Sequence, residues 1–160
     1  IRAIWRACQW LSDPDSRILA ADLLSRSGHL DLPADIIDRA LIGPLTVTQQ
    51  GLQRNAPGFL EFHKGSANFP WRSQAQWIAL QLASRMGMER GEAMRSAAEV
   101  FRSDIYRSAL RGTAAELPGA SSKLEGANER VTSVPAETGT LILPPDRFFD
   151  GVIFDPYDCG

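Results

Sequence analysis

Proline and glycine divide this chain into short pieces, and that punctuation limits its fold more than any other feature. Asp13-Pro14, Asp31-Leu32-Pro33 and Phe69-Pro70 each set a proline where a helix can begin, and Gly28, Gly43, Gly87 and Gly112 stand where one can end. Proline's fixed φ suits the first helical turn, and glycine accepts the left-handed conformation that closes the last. Apolar residues recur at helical spacing between these marks. Ile1, Ile4, Trp5, Cys8 and Leu11 predict a helix over 1–12. A second runs from Pro14 to about Ser27, capped by Asp13 and closed by Gly28, and a third spans Ile36 to Leu41. Leu45 to Thr48 fits a short strand, and Gln49 to Gly58 reads as a polar loop.

The strongest helical pattern starts at Pro70 and stops at Gly87. Trp71, Ala75, Ile78, Ala79, Leu82 and Met86 fall at spacings of three and four, which predicts a stripe at the centre of the core. Short helices follow over about Arg90 to Val100 and Asp104 to Leu110, the latter with Ser103 as cap and Gly112 as stop. From Thr113 to Asn128 the chain is rich in Gly, Ala and Ser. Two apolar islands come next, Leu141-Ile142-Leu143 and Phe148 to Phe154, the second folded back at Asp150-Gly151. The expectation is a mainly α chain with a few short strands. Residues 1–112 would form a helical body, and 113–160 an extended tail packing its islands onto that body.

The 160 residues suit one ordinary domain. A hydrophobic fraction of 44% with 22% charged is too apolar for global disorder. Lys and Arg number 17 against 19 Asp and Glu, a net charge of -2, so there is no basic excess to neutralise nucleic-acid phosphates. No stretch approaches the ~18 apolar residues of a membrane-spanning helix. Two cysteines, Cys8 and Cys159, and two histidines, His29 and His63, are scattered without metal-ligand spacing. A bridge between the two cysteines would have no spacing signature behind it. No cofactor is implied. The chain opens inside a helical pattern without a cap, which leads us to expect a piece of a longer protein.

Catalytic motifs are missing. There is no G-x-S-x-G, no H-E-x-x-H and no P-loop, so an enzyme is not expected. Asp13 with Asp15, and Asp155 with Asp158, read as turn and cap carboxylates. The segment from Phe62 to Ser73 is denser in chemistry. It holds His63, Lys64, Asn68, Trp71 and Arg72, and it leads into a helix N-terminus, where free N–H groups favour an anion. Two readings stand at this point. In one, Asn68 caps, Phe69 and Trp71 pack, and Lys64 and Arg72 are solvated. In the other, these five residues form a site for a small oxyanion. Trp10 falls off the apolar stripe of the first helix and could cover an interface.

Read as a series, these segments resemble the nitrate- and bicarbonate-binding proteins of ABC importers. FHKGSANFPWRSQAQWIALQLASRMG is similar to that family's Phe-His start, Asn-Phe-Pro and Trp-bearing helix. WRACQWLSDPDSRILAADLLS resembles its paired helices around Asp-Pro, and HLDLPADIIDRALIG its Pro-started helix. VFRSDIYRSAL resembles its segment with an aspartate and a tyrosine after an Arg-Ser turn, and FFDGVIFDP its closing signature. The resemblance covers nearly the whole chain in order. It implies the C-terminal part of a type II periplasmic-binding-protein-like α/β fold, one partial domain of a two-lobe protein. The implied role is the binding component of an ABC uptake system for nitrate, nitrite or bicarbonate, with a membrane permease as partner, on the outer face of the membrane or in the periplasm. The alternative within the family is a cytoplasmic nitrate sensor that holds an RNA-binding antiterminator; outside it, a helical interaction module without ligand. His63, Lys64, Asn68 and Trp71 match the family motif, as ligand contacts or as cleft wall. Self-association through exposed apolar surface is a further expectation.

Overall fold

The computed structural model describes residues 1–26, 28–56 and 59–158. It is mainly α, with short antiparallel ribbons. The chain divides into two compact units, Arg2–Asn68 and Phe69–Gly160. The division falls inside the Phe62 to Ser73 segment, whereas the sequence placed its one internal boundary at 112. Cys159, and with it the Cys8 bridge, lies outside the described residues, as does Ser27, the expected end of the second helix.

In the first unit, α1 (Arg2–Leu11), α2 (Pro14–Leu24) and α3 (Ala34–Ile42) follow the predicted order. Asp13 caps α2, its Oδ1 accepting from the Asp15 N–H at 3.1 Å. α2 stops at Leu24, short of the expected end, with Ser25 in the cap position. Gly43 ends α3 at φ 107°, and a Cβ there would sit 2.7 Å from the Ala56 carbonyl oxygen. Both conformation and space therefore demand glycine. Ala20, Ala21, Ile37 and Leu41 form the buried core, with Leu11, Leu24, Leu60 and Phe62 packed against it. Arg17 ties the pieces together. Its guanidinium donates to the carbonyls of Leu11 (2.8 Å), Leu41 (2.7 Å) and Leu60 (3.4 Å) and lies over the Phe62 ring.

The strand expected near Leu45 is β1 (Pro44–Thr46). It pairs antiparallel with β2 (Gln53–Asn55), where the sequence predicted only loop. All three β2 residues are exposed, so no apolar alternation marks them. Main-chain pairing formed around the turn at Gly51 makes the strand instead, with Val47 N–H donating to Leu52 O at 2.8 Å. The apolar stripe of α1 also departs from expectation. Trp5 is buried, but Ile1 and Ile4 are exposed; Trp10, expected off the stripe, is exposed as well.

The second unit opens with α4 (Arg72–Met86), which turns at Gly87 into α5 (Arg90–Ala98); α6 (Ser103–Leu110) follows. α4 packs on α5. The predicted core stripe is only half right. Trp71 and Ala75 are buried, but Ile78, Leu82 and Met86 are exposed at 43%, 47% and 68%. The face that α4 buries carries Ser73, Ala75 and Ala83, and α5 buries Gly91, Ala93 and Met94. Small side chains on both helices allow close packing there and leave the larger aliphatic residues outside. After α6, β3 (Thr132–Pro135) and β4 (Thr140–Leu143) form an antiparallel hairpin that buries Leu141 and Leu143 and exposes Ile142. The last island is the expected hook. Gly151 N–H donates to Phe148 O at 3.0 Å, and Phe154 pairs with Glu125 through both main-chain bonds. Phe148 stacks on Trp77 with ring centroids 4.9 Å apart.

Glu89 caps α5, its carboxylate accepting from the N–H groups of Gly91 (2.7 Å) and Glu92 (2.6 Å). Those bonds, Gly91's first, hold its carboxyl below the ordinary glutamate range. A depressed folded value stabilises above the unfolded pKa of about 4.3 and loses that stabilisation as pH falls through the folded value. The difference in urea midpoint between wild type and Glu89→Gln should therefore be largest at neutral pH and shrink steadily toward pH ~3. A difference that grows in acid would refute this account of the cap.

Candidate functional site

The five sequence candidates fall on both sides of the unit boundary. His63, Lys64 and Asn68 belong to the first unit, Trp71 and Arg72 to the second. In the first unit, a tight turn is organised by Glu61, whose Oε1 accepts from the N–H groups of His63 (3.3 Å) and Lys64 (3.0 Å). The His63 ring meets Trp5 edge-on at 5.3 Å, and its Nδ1 is buried without a hydrogen-bond partner among the described residues. Lys64 is exposed and Asn68 half-buried.

In the second unit Trp71 is a core residue, 2% exposed, standing at the N-cap of α4 without a side-chain cap bond. Phe69 meets it edge-on at 4.9 Å and meets Tyr106 at 5.7 Å. Arg72 gives its N–H to Ser121 O at 2.9 Å, and its guanidinium stands 4.0 Å from Asp104. Asp104 itself is gripped by both arms of Arg102, at 2.9 and 2.6 Å, which hold its carboxyl well below the usual range.

The first turn of α4 does have an anion beside it, and the protein supplies it. Glu125 is 4% exposed and accepts from Ser73 Oγ at 2.6 Å and from Lys123 Nζ at 2.6 Å. Ser73 Oγ accepts in turn from the Lys123 N–H at 3.1 Å. The same ammonium reaches Asp146, which accepts from the Asn128 N–H at 2.9 Å, and it lies 5.9 Å from the centre of the Trp71 ring. A helix N-terminus favours negative charge. Here a buried carboxylate, balanced by one lysine and a second carboxylate, takes that place. Arg107 closes the other side of the motif, donating to Pro118 O (3.1 and 2.8 Å), Ser121 Oγ (2.9 Å) and Ala120 O (2.5 Å) and covering the Phe69 ring.

No comparison gives a relative. Protein-family models, curated proteins and solved structures were each searched without a match. The site has therefore to be judged on its own chemistry. Among the described residues no group of three or more His, Cys, Asp or Glu converges as a metal site, and no helix is long and apolar enough to cross a membrane. Asp13 and Asp155 occupy local turns, Asp155 Oδ1 accepting from the Tyr157 N–H at 2.9 Å. Lys123, Glu125, Asp146 and Arg107 were missed by the sequence reading. Arg107 lies within the Val100 to Leu110 stretch but was not singled out there, the other three sit in stretches with no motif, and only the convergence of separate segments brings them together. What this arrangement does chemically is hold charge fixed and dry beside a helix end.

Proposed function

We propose that this chain is the C-terminal part of a substrate-binding protein for nitrate or a similar small anion, serving an ABC uptake system. The support is the order and register of the family-like segments along nearly the whole sequence. Their packing adds to it, because residues from separate segments meet. Phe69 and Trp71 of the Asn-Phe-Pro-Trp stretch pack with Tyr106 and Arg107 of the Asp-Ile-Tyr stretch. Trp77 stacks on Phe148 of the closing signature. Such a signature records a packing unit as much as a binding site. In this reading Trp71 and Arg72 are cleft wall, because Glu125 already neutralises the helix end beside them.

A planar monovalent anion needs one or two fixed donors in a surround that excludes water. The donors in this reading lie in the remainder of the two-lobe protein, and recognition is closure of the lobes over the anion. The test is tryptophan fluorescence of the natural full-length protein titrated with nitrate, nitrite and bicarbonate, with chloride as control. A saturable response to one of the three, with chloride inert, is the expected result. Indifference to all three would sink the reading. Submicromolar nitrate binding by these 160 residues alone would contradict the placing of the donors in the remainder of the protein.

A further inference from the structure

Beside the hook, the second unit carries an open apolar groove of about 660 Å³. Its helical wall is α4 and α5 and its other wall is the hook. The stacked Trp77 and Phe148 line it. Ile78 and Leu82 on one wall, and Phe149 and Ile153 on the other, are all exposed, Phe149 completely. Exposed apolar side chains on both walls make the groove a surface that a partner could cover.

The charges at the groove identify the occupant. The helical wall bears Arg85 and Arg90, which form no ion pair among the described residues. The hook wall bears Asp150 and Asp155. One wall is therefore cationic, the other anionic, with apolar residues on both. A twofold axis sets each wall of one copy against the opposite wall of the other, so a face built this way is complementary to itself. We propose that the groove is the interface of a homodimer, with the α4 and α5 wall of each copy seated against the hook of its partner. A ligand of a single charge sign would satisfy only one wall. This inference is independent of anion binding.

Sedimentation of the 160-residue chain over a wide concentration range is the test. A dimer dissociating on the order of 10 μM is expected. Leu82→Glu, at a position already half exposed, should weaken it at least roughly a hundredfold by placing a charge at the centre of the face. Arg85→Glu should weaken it about tenfold, and raised salt should weaken the wild type in the same sense. Ile4→Glu, an exposed apolar position in the first unit, should leave it unchanged. A chain that stays monomeric throughout would overturn the proposal. So would a dimer indifferent to Leu82→Glu or abolished by Ile4→Glu, since either result puts the interface elsewhere. Retained helical dichroism in each variant separates loss of pairing from loss of fold.

Discussion

Replacing Lys123 by methionine should destabilise the second unit by about 4 kcal/mol. The ammonium is 17% exposed and is the only cation bonded to Glu125 and Asp146 among the described residues. Without it, a carboxylate that is 5% exposed has only the Ser73 hydroxyl to meet it. Breaking one member of a buried charge group is costly because the partners stay behind uncompensated. Replacing Lys123, Glu125 and Asp146 together by uncharged residues of similar size should cost less than the single change. Urea denaturation of both variants measures this. A single variant within about 1 kcal/mol of wild type would show that water reaches the group and screens it.

Arg107→Ala comes next, with an expected loss of about 3 kcal/mol. Its side chain is 14% exposed and serves two main-chain carbonyls and a hydroxyl, pairs with Glu137 at 3.4 Å, and covers Phe69. Truncation leaves several acceptors unsatisfied at once, in a stretch (Pro118 to Ser121) that is itself neither helix nor strand. Arg107→Lys should recover less than half of the loss, because an ammonium lacks the planar fork that spans Pro118 and Ser121. Equal stability of the lysine and wild-type chains would refute the geometric part of this explanation.

These two residues also show where sequence reading ends. Some caps and stops were legible, since Asp13, Gly43 and Gly87 act through local backbone geometry that residue type alone determines, but Ser25 rather than Gly28 ends α2, and Arg102 and Arg111, not Ser103 and Gly112, flank α6. The hook was legible for the same reason, with Asp150-Gly151 between apolar runs. The face of α4 was not. Its apolar residues surround the helix too fully for periodicity to choose a side, and packing selected the small residues Ala75 and Ala83 over Ile78 and Leu82. β2 was not legible either, because an exposed strand held by main-chain bonds leaves no apolar pattern. The start of α4 was singled out from local chemistry as a place for an anion. Its occupant lies some fifty residues downstream, at Glu125, and spacing cannot report a partner at that distance.

The ribbon of β1 and β2 stops at two strands among the described residues, which leaves its outer margins as templates that another chain could extend, whereas the end of β3 is already covered by Gly119 N–H donating to Pro135 O and Glu137 N–H donating to Leu117 O. The sequence answers with residues that make poor templates. Pro44 opens β1 and offers no donor there, and the exposed β2 carries Arg54 at its centre. The guard against further strand pairing at this ribbon is therefore local, carried by the residues at its rim. Pro44→Val and Arg54→Val are the changes that would weaken it.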